Sequence, residues 1–507
     1  MPAHSRTHPI LRAEQGTIYH RASSEMVLCY PNNYRVAGAS LGYQVVYNAL
    51  NSRQGLSCQR AVLPDDAFEL TWRGPLRSLE HGMPLGGFDV VLFSIAYELD
   101  LPHLAWMLEA GGMAPLAMDR SDKAAPVIVG GPLTQSNVLP LGPFVDVVVM
   151  GEAEEALEVL LDRLESGMPK PDFLKALSTE KGFWVPSIHG DAIPDVLVAR
   201  GAHIPARGVW TSPDAEFRDM ALLETSRGCP RYCKFCVVRA PASPMRSPEL
   251  DRVVSALDEG IYRDAPRVGF VGAAVSDWPH IKGALQAAID RGKGIGISSL
   301  RADRLDETFV GLLHQGGYRT LTVASDAASE RLRRQIMKGL RPKHFLRTAE
   351  LARAVGMKQM KLYLMIGYPD ERPEDYQELY ELCETISSRI PLVVTISPFV
   401  PKLHTPLAEA PFEQIASQMR KLKAIQKRLR RRVEVRFDSP RWAWIEYRLS
   451  QGGMATGMAA WEAFRRGGQF SAYKRAFRAL DSDQESEERA AVQAAMKHNL
   501  WALSGAR

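Results

Sequence analysis

Three cysteines lie within eight residues of this 507-residue chain, in the segment SRGCPRYCKFC (226–236). Cys229, Cys233 and Cys236 have the spacing CxxxCxxC, which lets three soft thiolates reach one metal centre. They are too few for a closed four-thiolate zinc site, and no His or fourth Cys lies nearby in sequence. An iron–sulfur cluster held by three thiolates would leave one iron open for a substrate. A zinc site completed by a distant ligand, or three thiols close together by chance, are the alternatives.

The other three cysteines, Cys29, Cys58 and Cys383, stand alone, and we expect them to be buried apolar thiols. Such sparse, uneven spacing does not fit a secreted disulfide framework, so a reducing cytoplasm is the expected compartment. No apolar run approaches 18 residues, and the N-terminus has no apolar signal region. We therefore expect neither a transmembrane helix nor a secretory signal.

Composition places the chain among ordinary globular proteins. Hydrophobic residues make up 46% and charged residues 24%, which excludes a largely disordered, collagen-like or coiled-coil chain. The length corresponds to about three domains of roughly 150 residues. A net charge of +5 permits an anionic partner but does not argue for one.

The N-terminal third alternates strand-like and helical segments after a polar arm (1–25). Five apolar runs indicate strands buried on both faces. They are residues 26–30, 58–64, 88–96, 125–132 and 144–151. The pattern predicts a Rossmann-like, doubly wound parallel sheet over residues 26–165. Ligands bind such sheets at the carboxyl ends of strands, so three loops are candidate binding loops. They are residues 31–40, 94–100 and 130–137.

A Pro- and Gly-rich linker or connecting lobe (166–217) separates this domain from a second alternating region (218–405). Six strand candidates lie in that region. They are residues 221–226, 267–274, 294–300, 319–325, 360–369 and 393–401. Six βα units predict a partial (β/α)6 barrel, whose chemistry lies on the loops after the strands. A helical C-terminal region (406–507) completes the predicted α/β architecture.

The stretch LLETSRGCPRYCKFC, with the aromatic Phe235 before the last Cys, resembles the signature of the radical S-adenosylmethionine (SAM) superfamily. It is most similar to members that carry an N-terminal cobalamin-binding-like domain, and GEAEE (151–155) resembles the end of that domain. The resemblance covers roughly residues 26–410. It implies that the three clustered cysteines hold a four-iron four-sulfur cluster whose open iron binds SAM. One electron would then break a carbon–sulfur bond and yield a 5′-deoxyadenosyl radical.

The resemblance also implies further SAM contacts at strand ends. Gly272 and Ala273 stand where relatives have a Gly-Gly-Glu-like strand end that meets the SAM amino group, although the Glu is missing here. Ser299 and Arg301 are expected at the ribose and the carboxylate. The remaining expectations concern ASDAASERLRR (324–334) and the turn after a late strand. They are Ser325, with Asp326 and Ala328 in place of the usual Glu and Gly, and Gly367 near the adenine. An ordinary strand-end turn is the alternative for each.

Cobalamin binding is a further expectation from the resemblance. The loop PNNYRVAGAS lacks the His that often marks the methyl-carrying domain, but many radical SAM members lack it too. Ser94, Gly130 and Gly131 correspond to the later Ser and Gly-Gly signatures along the nucleotide tail. Tyr34 and Tyr97 are candidates to pack near a corrin face, or are plain packing residues. The alternative is a vestigial Rossmann domain that serves substrate binding or scaffolding.

The leading prediction is therefore a radical SAM enzyme that uses cobalamin to methylate an unactivated carbon. An electron donor of the flavodoxin or ferredoxin type is an expected partner, and the expected substrate is a small or lipid-like molecule whose identity the sequence does not specify. One alternative is cobalamin-independent radical chemistry such as carbon–carbon bond formation. Another is a non-enzymatic metal- or RNA-binding protein.

Two remaining segments have open interpretations. Lys402 and His404, in PFVPKLHTP, would face the active-site mouth or lie on a surface loop. The basic run 420–436 is either a solvated helix face or a phosphate-binding stripe for RNA or another anion. It lacks interleaved aromatic residues, although Trp442, Trp444 and Tyr447 follow it, so a stacking surface stays open.

Overall fold

The computed structural model describes residues 8–69, 74–239, 243–298 and 300–483. The chain divides into two compact units, one of residues Met1–Ala221 with Arg448–Arg507 and one of residues Leu222–Tyr447. Within the described ranges, no helix combines the length and the apolar character needed to cross a bilayer.

The first unit contains a six-stranded sheet in the order β2-β1-β3-β4-β5-β6. Its strands are β1 (Ser24–Asn33), β2 (Leu56–Leu63), β3 (Val90–Ser94), β4 (Val127–Gly130), β5 (Val147–Val149) and β6 (Phe183–Trp184). Pairing is parallel from β2 to β5, and β6 adds an antiparallel edge. Every residue of β2, β3 and β5 is buried, as expected for parallel strands covered on both faces. The predicted doubly wound sheet is confirmed.

Seven helices accompany this sheet in the described N-terminal residues. They are α1 (Pro9–Ala13), α2 (Tyr34–Ala37), α3 (Leu41–Ser52), α4 (Leu101–Ala110), α5 (Glu154–Glu165), α6 (Lys170–Ser178) and α7 (Pro186–His189). The stretch 166–217, expected to be a linker or lobe, thus contributes α6, β6 and α7, and β6 extends the sheet.

The second unit is built on seven strands in chain order. They are β7 (Met220–Ser226), β8 (Arg267–Gly272), β9 (Gly294–Ile297), β10 (Thr320–Asp326), β11 (Gln359–Ile366), β12 (Leu392–Pro398) and β13 (Val433–Phe437). They form sheets β7-β8-β9 and β10-β11-β12-β13, and a parallel bridge between Leu300 and Val323 joins the two. The α/β character and parallel pairing agree with the predicted barrel-type unit.

Eight helices lie between these strands in the described sequence. They are α8 (Leu250–Ala256), α9 (Gly260–Asp264), α10 (Ile281–Asp290), α11 (Glu307–Gln315), α12 (Glu330–Gln335), α13 (Pro342–Ala354), α14 (Pro373–Ser387) and α15 (Ile415–Leu429). Side-chain caps fix two of their starts, because Asp306 accepts a hydrogen bond from Phe309 N and Ser329 accepts one from Leu332 N.

The C-terminal region is helical, as predicted, apart from strand β13. It continues with α16 (Pro440–Gln451), α17 (Met454–Arg465) and α18 (Phe470–Asp483). The sequence analysis missed β13 because its two buried valines, Val433 and Val435, alternate with charged residues inside the basic run. In the structure β13 pairs with β12 and forms the edge of the four-stranded sheet.

Candidate functional site

The cysteine loop begins where β7 ends, and its first turn requires a glycine. Arg227 and Arg246 exchange backbone hydrogen bonds of 2.8 Å, and Cys229 N donates to Ser243 O at 3.0 Å. Gly228 has φ +76°, and a Cβ there would lie 2.3 Å from Pro244 O. A larger residue at position 228 would collide with the backbone of Pro244. Only glycine therefore allows the chain to follow this path from β7 to Cys229.

The second half of the loop is held by backbone hydrogen bonds to distant segments. Lys234 N donates to Ile336 O at 3.0 Å, and Leu407 N donates to Lys234 O at 3.3 Å. Cys233 is buried, whereas Cys229 and Cys236 are partly exposed. All three are free thiols. The loop therefore presents reduced sulfurs from a backbone anchored at several points.

The three thiols share one electrostatic environment. Burial raises the pKa of Cys229, of Cys233 and of Cys236, the last to about 11, and Cys229 and Cys233 raise the pKa of Cys236 further. Arg301 opposes the burial effect by lowering the pKa of both Cys229 and Cys233. Arg231 acts in the same direction on Cys229. The site thus contains cations that favour the thiolate form.

The sequence analysis did not identify most of the charged residues that surround this loop. The buried carboxylate of Asp277 forms ion pairs with Arg231 and with Arg304, the latter at 2.9 Å. Lys338, which lowers the pKa of Cys233, pairs with Asp326 at 2.5 Å. A signal existed for Arg231, which lies inside the cysteine motif. None existed for Lys338, which is about a hundred residues away and meets the loop only through folding.

Gly272 lies beside the end of β7. A Cβ at this position would lie 2.5 Å from Ser226 Oγ and 2.7 Å from Ser226 O, so a glycine is needed for the strands to approach. The Ser226 hydroxyl is buried and has no hydrogen-bond partner among the described residues. Ala273 is exposed just beyond the strand. A buried polar atom is thus present at the strand end where the resemblance expects a SAM contact.

The residues expected near the ribose, the carboxylate and the next strand end have different surroundings. Ser299 lies outside the described residues. Arg301 directs Nε and Nη2 at the two oxygens of Asp303, both at 3.0 Å, and Nη2 also donates to Lys338 O. Ser325 is buried; its hydroxyl donates to Ala327 O at 2.8 Å and accepts from Arg333. These hydrogen bonds give Ser325 a role in shaping its own turn.

Phe235 and Gly367 meet an aromatic and polar cluster after β11. The Phe235 ring lies edge-on to Tyr368 with 6.4 Å between centroids, and Tyr368 stacks on Phe399 at 4.5 Å. Gly367 has φ +92°, and its N–H donates to Glu371 Oε1 at 2.7 Å. These contacts connect the cysteine loop to the turn after β11.

The loop after β12 places Lys402 in an ion pair. Lys402 Nζ lies 2.6 Å from Glu446 Oε1, so this amine already has a carboxylate partner. His404 has φ +63° and lies in a turn. The structure thus gives Lys402 a structural contact and assigns no reacting role to either residue.

In the first unit, Ser94, Gly130 and Gly131 come together at the carboxyl ends of β3 and β4. Ser94 and Gly130 are register partners. Gly131 has φ +112°, and a Cβ there would lie 2.6 Å from Ile95 O, so contacts within the protein explain this glycine. A Cβ on Gly130 would meet only Val149, at an ordinary 3.8 Å. The protein itself therefore does not require a glycine at 130.

The two tyrosines considered for a corrin face differ. Tyr34 is buried, and its hydroxyl donates to Glu14, which pairs with the fully buried Arg60. Tyr34 is therefore a core residue. Tyr97 is 40% exposed and follows β3. Only Tyr97 lies at a surface that a ligand can reach.

The sheet order singles out two of the candidate binding loops, residues 31–40 and 94–100, which follow β1 and β3. Strand order reverses between β1 and β3, and ligands of such sheets bind in the crevice at this point. Asp100 is buried there and accepts a hydrogen bond from Asn32 Nδ2 at 3.4 Å. Burial raises the pKa of Asp100 to about 7, and burial lowers the pKa of His103 to about 4. The sequence analysis named the loop 94–100 but neither Asp100 nor His103, because ELDLPHL reads as an ordinary helix start.

The described residues include no group of three or more His, Cys, Asp or Glu side chains arranged around a single metal ion. A four-iron cluster does not need that arrangement, since each thiolate binds a different iron of the cluster. The cysteine loop remains the place where three soft donors and neighbouring cations occur together.

Family models match both units. Residues 42–186 match a model described as "Radical SAM proteins, N-terminal", and residues 223–383 match one described as "Radical SAM superfamily". The second match contains the whole cysteine loop and the strands β8 to β11.

Two curated relatives and one solved structure are similar to the chain. "Uncharacterized protein MJ0966" of Methanocaldococcus jannaschii is 27% identical over 422 residues, which cover 82% of this chain and 85% of that protein. "Uncharacterized methyltransferase PH0819" of Pyrococcus horikoshii is 24% identical over 54% of this chain and 60% of that protein. The structure of the radical SAM methyltransferase TsrM from Kitasatospora setae has a TM-score of 0.52 at 16% identity and covers 78% of each chain. This last similarity concerns the fold.

Proposed function

We propose that this chain, which belongs to the radical SAM superfamily and is an enzyme, cleaves SAM at a four-iron four-sulfur cluster and methylates an unactivated carbon with the help of cobalamin. The observation that carries the proposal is the anchored loop with Cys229, Cys233 and Cys236 at the end of β7. The chemistry of a barrel of this kind belongs on the loops after its strands.

The donor set fits the cluster. Three free thiols share one loop, and Arg231, Arg301 and Lys338 each favour the thiolate form of at least one of them. When bound, the cluster supplies the electron that splits SAM into methionine and an adenosyl radical. Cys229, Cys233 and Cys236 would hold it, and three thiolates leave one iron for the substrate.

This chain's own residues orient SAM and keep water away. The unpartnered Ser226 hydroxyl and the exposed residue Ala273, just after β8, would receive a polar group of SAM. The Nη1 group of Arg301, which makes no hydrogen bond to a described residue, is positioned for an anion such as a carboxylate. The rings of Phe235, Tyr368 and Phe399 form an apolar backing for the loop.

The first unit has features that fit cobalamin. In a sheet with this strand order, ligands bind where β1 and β3 diverge. Gly130, at the carboxyl end of the neighbouring strand β4, leaves space that a side chain would fill. Bound cobalamin would supply a methyl carrier. Ser94 and Gly130 would line its path, while Tyr34 would not. The names of two similar proteins support methyl transfer: PH0819 is called a methyltransferase, and the TsrM structure is a methyltransferase with cobalamin and a 4Fe-4S cluster bound.

The test is anaerobic purification with cobalamin supplied, followed by iron and zinc analysis, the absorbance spectrum and a SAM-cleavage assay with a low-potential reductant. We expect about four irons per chain and formation of 5′-deoxyadenosine. The Cys229→Ala, Cys233→Ala and Cys236→Ala variants should each lose both. Cys383→Ala, which removes a buried thiol elsewhere in the same unit, should keep both.

The same preparations test cobalamin binding. We expect corrin absorbance to copurify with the wild type and to be lost in Gly130→Val with iron unchanged. Gly42→Val is the control, since a Cβ at that position on α3 meets nothing within 4 Å. One zinc per chain, or SAM cleavage by the triple cysteine variant, would refute the radical mechanism. SAM cleavage by a protein that shows no corrin absorbance would support the radical chemistry and refute cobalamin binding.

A further inference from the structure

Helix α15 and its C-cap residue, Arg430, carry four cations on one face. Arg420, Lys423, Lys427 and Arg430 are all exposed and are spaced three, four and three residues apart, which places them along one side of a helix. Ten residues of helix span about 15 Å. The four residues, called here the α15 stripe, therefore form a line of positive charge at the surface of the second unit.

The stripe differs from the other cations of the same helix. Lys421 lies 2.7 Å from carboxylate oxygens of Glu371 and Glu413, and Arg428 pairs with Glu384. None of the four stripe residues forms an ion pair with a described residue, and the sequence of α15 contains no Asp or Glu. Like charges three and four residues apart destabilise a helix. A solvated helix face ordinarily mixes positive and negative side chains. The uniform positive charge of this face therefore lowers the stability of the helix.

A cleft lies beside the stripe. Lys423, Lys427 and Arg430 line a cavity of about 400 Å³ between α15 and β13, together with Gln426 and three residues of the strand. The one acidic residue in this lining is Glu434, whose carboxylate lies 2.7 Å from Arg436. Its charge is thus already compensated. The cleft offers three unpaired cations to an anionic group.

The chemistry of this surface selects the class of partner. Hot spots of protein interfaces are enriched in Trp, Tyr and Arg. The exposed α15 residues between the stripe cations are Ala424, Gln426 and Arg428, which include no aromatic side chain. A phosphate backbone needs only charge, because neutralised phosphates release counterions. In B-form DNA one strand carries a phosphate per ~3.4 Å of helix axis, so a stripe of about 15 Å is long enough to contact several phosphates of one strand.

We propose that the α15 stripe binds the sugar–phosphate backbone of a nucleic acid strand. Phosphates lie against the line of ammonium and guanidinium groups, and one phosphate occupies the cleft beside Lys423, Lys427 and Arg430. The binding supplies no base specificity, which would have to come from elsewhere in the chain. The inference goes beyond the proposed radical chemistry and does not depend on it.

The test measures binding by the full-length chain without SAM or reductant. A fluorescently labelled 20-nucleotide single-stranded RNA is titrated at several NaCl concentrations, with DNA of the same sequence in parallel. We expect the variant Arg420→Gln, Lys423→Gln, Lys427→Gln, Arg430→Gln to bind at least ~10-fold more weakly near 100 mM salt, with a log–log salt slope smaller by about 3. RNA and DNA should respond alike.

Two further variants separate charge from folding. Removal of four exposed cations elsewhere, Lys123→Gln, Lys175→Gln, Lys181→Gln and Arg218→Gln, should change affinity less than about twofold. Exchange of Arg for Lys and of Lys for Arg along the stripe should retain binding. Three outcomes would overturn the proposal. The distant set could weaken binding as much as the stripe variant does, the wild type could show no salt-dependent binding, or polyglutamate could bind more tightly than RNA. Because no radical step is involved, failure of SAM cleavage would leave this result intact.

Discussion

Asp100 is a buried carboxylic acid at the edge of the first sheet where strand order reverses. Its carboxylate accepts a hydrogen bond from Asn32 Nδ2, and burial raises its pKa from 3.8 to about 7. The folded protein therefore keeps a proton that the unfolded chain releases above about pH 4. Stability associated with this group is fully present at low pH and is lost as pH rises from about 4 towards 7.

We predict that Asp100→Asn removes this pH dependence. The amide stays neutral, so the variant should match the wild type near pH 4.5 and be more stable at pH 8. A shift of about three pH units corresponds to on the order of 3–4 kcal/mol. Thermal unfolding at both pH values measures the difference, with the exposed Asp122→Asn as control. A difference of equal size at both pH values would show that Asp100 is not protonated in the folded state.

Helix α17 packs closely on the turn 139–144, and a glycine makes that approach possible. A Cβ on Gly457 would lie 2.0 Å from Pro140 O. Nearby, the buried Asn137 side chain donates to Leu449 O and to Gly452 O at 3.1 and 2.6 Å, which satisfies carbonyls near the end of α16. The backbone of helix α17 thus packs directly against the backbone of the turn 139–144 in the first unit.

We predict that Gly457→Ala lowers the free energy of unfolding by about 2 kcal/mol or more, because the helix must move away from Pro140. The matched control is Gly311→Ala in α11, where a Cβ meets nothing within 4 Å. That change should increase stability by about 0.5–1 kcal/mol, since alanine favours the helix. Urea unfolding of both variants measures the effect. Stabilisation by both changes would contradict the close packing of α17.

At the scale of the whole molecule, the first unit is assembled from both ends of the chain. Residues Met1–Ala221 and Arg448–Arg507 form one compact unit, whereas Leu222–Tyr447 forms the other. Phe464 of α17 packs against Trp106 of α4 with 5.4 Å between ring centroids and against His103 at 5.5 Å. The C-terminal helices thus complete the core beside the sheet edge where Asp100 lies.

We predict that deletion of residues 454–507 destabilises the first unit locally. Hydrogen exchange should become faster in α4 and in residues 137–144, because both lose the helix that covers them. Strands β10, β11 and β12, which pair with one another within the second unit, should keep their protection. Mass spectrometry of peptides from the deleted and full-length chains measures this. Uniform loss of protection would show that the two units unfold together.

The sequence by itself determined the local features of this protein. The CxxxCxxC loop, the glycine before its first cysteine and the buried strand runs depend on residues that are neighbours in the chain, so their chemistry and periodicity are legible there. The family resemblance rested on that same local segment, and the family models support it.

Only the tertiary structure decided which distant residues meet. Folding brings Lys338 and Arg301 close enough to lower the pKa of Cys233. It also buries Tyr34 in the core and pairs β13 with β12. Charge and hydropathy patterns predict which side of a segment is buried. They do not predict which other segment packs against that side. The pairing of strands and the packing of α17 on the first unit are set by long-range burial, which becomes visible only when the chain is folded.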